Sequence, residues 1–123
     1  MAPRFAPKEP VVLDPPKDTP FTPTELRQFD GVHNPLIYVA VKGTVFDVTK
    51  NSKVYGPGGS YAVFAGKDGS KGLAKSSLDP DLAVPDTAGL DQGEITVLDD
   101  WYSYFSQRYN IIGKIVPDSE AKI

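Results

Sequence analysis

The stretch YGPGGSYAVFAGKD, residues 55–68, carries more information about the fold than any other part of the chain. Six of the eleven glycines fall between positions 56 and 72, interleaved with the apolar run 61–65. Glycine adopts backbone angles that other residues disfavour, and it lets a ligand approach the main chain closely. The pattern predicts one or two short helices joined by turns, in a segment that can lie against a bound ligand.

A phosphate-binding loop is one alternative for this stretch, because its glycines and Lys67 could supply hydrogen-bond donors. That motif requires glycine five residues before Gly66, where this chain has Tyr61, and serine or threonine after Lys67, where it has Asp68. We therefore exclude it. The alternative that stays open is a glycine-rich bend whose aromatic side chains only fill the core.

Strands are predicted on both sides of this stretch. Residues 36–41 and 44–49 are rich in β-branched and aromatic side chains and are separated only by Lys42-Gly43, a spacing typical of a tight hairpin. A third apolar run, residues 111–116, is stopped by Pro117 and predicts a final strand.

A short helix is predicted ahead of the hairpin. Thr22 can cap its first backbone donors, Pro23 suits its first position, and Glu25 can close a capping box. We expect this helix to run to about Phe29 and to end near Gly31.

The main amphipathic helix is predicted after a second possible capping box, Asp91 and Glu94. Apolar side chains then recur every three or four positions, which places them on one helical face with Tyr104 on the other. That face consists of Ile95, Leu98, Trp101, Tyr102, Phe105 and Tyr109. Helices inserted among short strands indicate an α+β fold.

Domain boundaries follow from the prolines. Seven of the twelve prolines lie within residues 1–23, where apolar positions are not periodic. We predict a proline-rich arm or linker over residues 1–20, one domain over residues 21–117 and a tail over residues 118–123.

Composition excludes several classes of function. The 123 residues carry a net charge of −3 and no cysteine, which argues against nucleic-acid binding and excludes disulfides, thiolate metal sites and thiol nucleophiles. The longest apolar runs are far shorter than the roughly 20 residues that span a bilayer. The chain as given is expected to be soluble.

Ordered blocks of the sequence resemble the successive motifs of the membrane-associated progesterone receptor family over about residues 21–116. The blocks are TPTEL (22–26), FDG (29–31), GTVFDVT (43–49), YGP (55–57), Tyr61 with FAG (64–66), GLA (72–74), DW (100–101), Tyr109 and GK (113–114). The resemblance implies a cytochrome b5-like fold, in which a short mixed sheet and helices form a cleft for haem b. It also implies a role as regulator, stabiliser or haem donor for haem-thiolate monooxygenases of sterol metabolism.

A tyrosine is the expected iron ligand. His33 is the single histidine, cysteine is absent, and Met1 is the single methionine, so two-histidine ligation by one chain is impossible. If haem binds, a tyrosine phenolate is the strong protein ligand that remains. Tyr61 matches the family's ligating tyrosine. A phenolate is a hard anionic donor, which predicts five-coordinate ferric iron with a low reduction potential.

Further cofactor contacts are implied by the same resemblance. Tyr55 matches a tyrosine that hydrogen-bonds at the site, and Arg108-Tyr109 falls where many members have a Lys-Tyr pair that contacts the haem or its propionates. Lys67 and Asp68 complete the predicted cofactor-binding set. The alternatives are packing at a turn for Tyr55, a core position or the ligand role itself for Tyr109, and a helix cap or loop anchor for Asp68.

Charge is distributed unevenly along the chain. Six lysines lie between positions 42 and 75, against two acidic residues, while positions 79–100 hold seven acidic residues and no basic one. The basic part could attract haem propionates or an anionic membrane and the acidic part a basic partner, unless both are ordinary solvated surface. A cytoplasmic location, or peripheral association with the endoplasmic reticulum, is expected, as a monomer or a haem-stacked dimer.

A second function stays open beside haem binding. The chain could be an adaptor that binds a sterol or another protein without haem. An enzyme is not expected, because no nucleophile has a plausible base and no metal cluster or further cofactor motif is present.

Overall fold

Four strands and four α-helices form the part of the chain that the computed structural model describes, residues 12–118. Most of the predicted arm and tail, residues 1–11 and 119–123, lies outside the described residues. The strands are β1 Thr19–Phe21, β2 Tyr38–Val41, β3 Thr44–Asp47 and β4 Asn110–Ile115, and the helices are α1 Pro23–Leu26, α2 Ser52–Tyr55, α3 Ser70–Ala74 and α4 Gln92–Arg108.

The strands form one mixed sheet in the order β1-β4-β3-β2. β1 runs parallel to β4, and the other two pairs are antiparallel. The predicted hairpin joins β2 to β3 through Lys42 and Gly43, both of which have positive φ angles, 53° and 79°. This two-residue turn matches the twist of the strands it joins. The short mixed sheet and the α+β class are confirmed.

Strand β1 was not predicted. Thr19 and Pro20 fall within the predicted arm, yet they pair with Gly113 and Lys114 of β4. The strand escapes detection because it has three residues and contains a proline, which lacks the backbone N–H. A proline is tolerated here because β1 lies at the edge of the sheet.

Helix α1 begins where predicted and ends earlier. Thr22 and Glu25 form the expected capping box, with Thr22 Oγ1 accepting from the Glu25 N–H at 3.1 Å. The prediction that the helix reaches Phe29 is wrong, since α1 ends at Leu26. The Phe29 ring instead stacks on Tyr38 of β2 at a centroid distance of 4.4 Å, which draws the chain away from the helix axis.

Helix α4 is the longest element and supplies Trp101 and Phe105 to the core. Its capping box is confirmed: Asp91 Oδ1 accepts from the Glu94 N–H at 2.8 Å, and Glu94 Oε1 accepts from the Asp91 N–H at 3.0 Å. The predicted apolar face is largely correct. Leu98, Trp101 and Phe105 are buried, whereas Ile95 in the first turns is 38% exposed.

The capping box of α4 gives a first prediction. Asp91→Ala removes the side-chain acceptor for the Glu94 N–H, and loss of such a cap typically lowers the free energy of unfolding by about 1 kcal/mol. Urea unfolding followed by circular dichroism measures this loss. Gln92→Ala, at the exposed neighbouring position, is the control and should change stability little. Equal stability of the two variants would contradict the prediction.

The basic and acidic parts of the chain meet at α4. Lys42 in the hairpin turn pairs with Asp99 at 2.9 Å, and Lys75 after α3 pairs with Glu94 at 2.9 Å. Exposed ion pairs of this kind contribute only about 0–1 kcal/mol each. The two charge blocks predicted from the sequence are thus partly neutralised against each other.

Candidate functional site

The loop between α2 and the 3-10 helix 62–64 carries the predicted ligand, Tyr61. The Tyr61 N–H donates to the Val54 carbonyl oxygen at 2.9 Å, which folds the loop back onto α2. A Cβ atom on Gly59 would lie 2.2 Å from that same oxygen. Only glycine therefore permits this close return of the backbone, which explains part of the glycine-rich pattern.

Aromatic rings gather around Tyr61 on one side of α4. Its ring centroid lies 5.9 Å from that of Tyr55 and 6.1 Å from that of Trp101. The Phe105 ring also belongs to this group, since its centroid lies 6.0 Å from that of Tyr55 and 5.4 Å from that of Tyr109. We call this group the tyrosine face: Tyr55, Tyr61, Trp101, Phe105 and Tyr109. It brings together three of the predicted site residues.

The three tyrosines of this face differ in exposure. Tyr55 and Tyr109 are buried, at 2% and 3% exposed, whereas Tyr61 is only partly buried. Burial raises the pKa of both Tyr55 and Tyr109. Asn51 Nδ2 donates to the Tyr109 hydroxyl at 3.0 Å. Tyr55 and Tyr109 are thus held as neutral phenols, and the Tyr109 oxygen is already engaged by a donor.

Positive charge borders the tyrosine face at the end of α4. The Arg108 guanidinium lies 4.3 Å from the Tyr104 ring centroid, and Lys50 Nζ lies 5.5 Å from that of Tyr109. With Asn51 these side chains line a cavity of about 230 Å³. Two cations and an amide donor around one cavity form a site suited to a carboxylate.

Two buried donors on this side of the molecule have no hydrogen-bond partner among residues 12–118. They are Trp101 Nε1, next to Tyr61, and Arg108 Nε, next to the small cavity. Buried donors without an acceptor are uncommon in native proteins. A flat apolar group that carries carboxylates fits this arrangement of aromatic rings, the partly exposed Tyr61 and the two cations. The residues present are therefore compatible with haem.

Lys67 and Asp68 lie apart from the tyrosine face. They line a different cavity, next to Arg27 of the α1 end. Asp68 Oδ1 accepts from the Ser70 N–H at 3.0 Å and Oδ2 from the Gly43 N–H at 2.9 Å, so the carboxylate anchors a loop to the hairpin turn. The cofactor role of Lys67 and Asp68 stays a prediction from the family resemblance.

Two residues at the site were missed from the sequence. Asn51 was not singled out, and Tyr104 was expected to be exposed on the far side of α4. Instead Tyr104 packs against Trp101, at a centroid distance of 5.7 Å, and under Arg108. The i, i+4 spacing of Tyr104 and Arg108 could have indicated this stacking, since such residues are neighbours on a helix surface.

His33 lies on the surface. Its side chain is 64% exposed, and Nδ1 lies 2.8 Å from Oδ2 of Asp30. Hydrogen bonds from the backbone N–H groups of Val32 and His33 also reach Asp30. The histidine belongs to the turn after α1 and is not part of the tyrosine face.

A mixed four-stranded sheet that supports helices around a tyrosine-lined, cation-bordered face defines a cytochrome b5-like ligand-binding domain. Comparison with known families agrees with this class. The chain belongs to the family described as the cytochrome b5-like haem/steroid-binding domain, which it matches over residues 22–115.

The relatives of the chain support the same placement. It is 40% identical to the cytochrome P450 regulator dap1 of Schizosaccharomyces pombe, over 94% of this chain and 70% of the relative. It is 41% identical to human membrane-associated progesterone receptor component 2, over 85% of this chain and 48% of that relative. The resemblance to the membrane-associated progesterone receptor family is confirmed.

A solved structure shows the same fold. It is that of an Arabidopsis thaliana protein described as having a cytochrome b5 like fold, and it aligns with a TM-score of 0.74 and 42% identity. The alignment covers 80% of this chain and 91% of that one. Within residues 12–118, no helix is long and apolar enough to cross a membrane.

Proposed function

We propose that this chain binds one haem b on the tyrosine face, with the Tyr61 phenolate as the axial ligand of ferric, five-coordinate iron. The observation that carries the proposal is the difference among the three tyrosines. Tyr55 and Tyr109 are buried, and the pKa of each is raised by that burial. Tyr61 alone of the three reaches the surface, so it is the tyrosine whose oxygen an approaching iron can contact.

Residues near Tyr61 would help to hold the same haem. Arg108 and Lys50 border the small cavity, where they would pair with propionates, and Arg108 offers the planar fork that suits carboxylates. The buried Tyr55 ring, 5.9 Å from the Tyr61 ring, would hold the ligand in position. When bound, haem supplies a ferric centre that a hard phenolate stabilises against reduction. Resistance of the iron to reduction argues against a role of this chain as a rapid electron shuttle.

We further propose that the chain is a binding protein that regulates, stabilises or supplies haem to a haem-thiolate monooxygenase of sterol metabolism. The description of the Schizosaccharomyces pombe relative as a cytochrome P450 regulator supports this role. Its place of action would be the cytoplasm or the surface of the endoplasmic reticulum, as a monomer or as a dimer stacked through the haem faces.

A haemin titration tests the proposal. We expect saturable uptake of one haemin per chain, and we expect Arg108→Gln to weaken it about tenfold, because a cation that pairs with a propionate is lost. Lys114→Gln, which removes an exposed cation from strand β4, is the matched control and should bind as the unaltered protein does. Absence of saturable uptake by the folded protein would overturn the proposal.

A second candidate function, sterol binding that does not depend on haem, is favoured by one specific observation. Two adjoining cavities of about 630 and 280 Å³ lie away from the tyrosine face. Pockets that hold small ligands commonly measure roughly 300–1,000 Å³ and are mostly apolar. This function is compatible with haem binding because none of the tyrosines of the tyrosine face lines either cavity.

A further inference from the structure

Trp101 of α4 is a buried aromatic residue that lies next to the proposed iron ligand. Its side chain is 2% exposed, and its ring makes edge-to-face contacts with three others. The ring centroids are 6.1 Å away for Tyr61, 5.7 Å for Tyr104 and 6.0 Å for Phe105. The indole is therefore surrounded by aromatic rings at the tyrosine face.

The indole N–H of Trp101 is a buried donor that has no acceptor among residues 12–118. The indole nitrogen can only donate a hydrogen bond, so a neighbouring acceptor is needed to satisfy it. A buried donor without one has lost the hydrogen bonds that it makes with water in the unfolded chain. An acceptor that forms when a ligand binds would recover this loss.

Two of the three neighbouring rings carry an oxygen, those of Tyr61 and Tyr104. Tyr104 lies under the Arg108 guanidinium, which is 4.3 Å from its ring centroid. On the function proposed above, Tyr61 is the residue whose oxygen becomes an anion, because it binds ferric iron. Hydrogen bonds to an ionised acceptor are about twice as strong as those between neutral groups. Iron binding at Tyr61 therefore creates the strongest acceptor close to this N–H.

We propose that Trp101 is a positioning residue of the haem site, whose Nε1–H donates to the phenolate oxygen of Tyr61 when that oxygen binds iron. The inference rests on the proposed haem function and adds a residue to it. The hydrogen bond withdraws electron density from the phenolate oxygen, so it stabilises the anion and weakens the donation of that oxygen to the iron. Trp101 thereby influences both the affinity for ferric haemin and the reduction potential.

Replacement of the single tryptophan tests the N–H while keeping the shape of the side chain. A tryptophan auxotroph can incorporate benzothienylalanine at position 101, in which sulfur replaces the indole N–H. We expect the affinity for haemin to fall about tenfold, because binding no longer supplies an acceptor to a buried donor. Without haemin, the substituted protein should be at least as stable in urea as the unaltered protein, because it lacks the unsatisfied donor.

Two further measurements report on the phenolate oxygen itself, and a merely structural role of Trp101 would not change them. Resonance Raman spectra of the haemin complex should show the iron–phenolate stretching vibration at higher frequency in the substituted protein. The reduction potential should fall by about 59 mV, which corresponds to a tenfold change in the ratio of ferric to ferrous iron. Both changes follow because an oxygen without this hydrogen bond donates more strongly to the iron.

Tyr104→Phe identifies the acceptor. It removes the other hydroxyl next to the indole and keeps the ring that packs against Trp101 and under Arg108. This variant should leave the frequency of the iron–phenolate vibration and the reduction potential unchanged. A Tyr104→Phe protein that reproduces both effects of benzothienylalanine would make Tyr104 the acceptor and overturn the inference.

The same complexes separate this inference from the haem proposal. An unchanged vibration and potential after replacement of Trp101 would overturn the inference, even if the affinity for haemin fell, since the N–H would then not pair with the ligand oxygen. Failure of the folded, unaltered protein to take up haemin, or a haemin complex without phenolate vibrations, would instead overturn the haem function on which the inference rests.

Discussion

Tyr61→Phe is expected to lower the affinity for ferric haemin by at least about 100-fold. The change removes one oxygen, and on the proposed account that oxygen makes the bond between protein and iron. Loss of a group that only orients a metal ligand already costs roughly 10- to 100-fold in affinity, so loss of the ligand itself should cost at least as much. The backbone hydrogen bond from Tyr61 to Val54 is retained, so the loop should keep its shape.

Two other tyrosines provide controls for this result. Tyr102→Phe removes a hydroxyl that lies 3.4 Å from Thr44 Oγ1, away from the tyrosine face, and should leave haemin uptake unchanged. Tyr109→Phe removes a hydroxyl engaged by Asn51 and should weaken uptake by no more than about tenfold. Unchanged uptake by Tyr61→Phe together with loss in Tyr109→Phe would make Tyr109 the ligand and contradict the assignment.

Phe105→Ala is expected to lower the free energy of unfolding by about 3–5 kcal/mol, the usual cost of truncating a buried phenylalanine. The ring is fully buried and contacts five others. Their centroids lie 5.4–6.1 Å away, and they belong to Phe46, Tyr55, Trp101, Tyr104 and Tyr109. Since small domains are stable by about 5–15 kcal/mol, this loss is a large fraction of the stability of the domain.

Urea unfolding, followed through the fluorescence of the single tryptophan, measures this effect. Phe105→Leu keeps most of the side-chain volume and serves as the control, with an expected cost of roughly 1–2 kcal/mol. A cost below about 1 kcal/mol for the alanine variant would show that this ring does not hold α4 against Phe46 and Tyr55.

The regular elements could be predicted from the sequence because local signals define them. The hairpin at Lys42-Gly43 and the capping boxes at Thr22 and Asp91 are short-range patterns, and the structure contains all three. Each depends on residues within four positions of one another. Long-range pairing does not determine where these elements begin.

The elements that were missed depend on distant parts of the chain. Strand β1 exists because residues 19–21 pair with β4, more than 90 positions later. Helix α1 ends early because Phe29 stacks on Tyr38. Neither event leaves a periodic pattern in the local sequence, since three residues are too few to show one.

The candidate site was predicted less completely than the fold. The family motifs predicted that Tyr55, Tyr61, Arg108 and Tyr109 belong to one site. The structure places all four around the end of α4. The motifs could not reveal the pairing of Asn51 with Tyr109, which depends on the fold bringing α2 to α4. The position of Asp68 at a separate cavity likewise depends on its contact with the hairpin turn.

Resonance Raman spectroscopy of the haemin complex tests the central claim, iron ligation by Tyr61, most directly. We predict phenolate vibrations that shift when the protein is grown with ring-deuterated tyrosine, that disappear in Tyr61→Phe and that persist in Tyr109→Phe. Phenolate vibrations that survive in Tyr61→Phe, or a haemin complex of the unaltered protein without them, would contradict the claim.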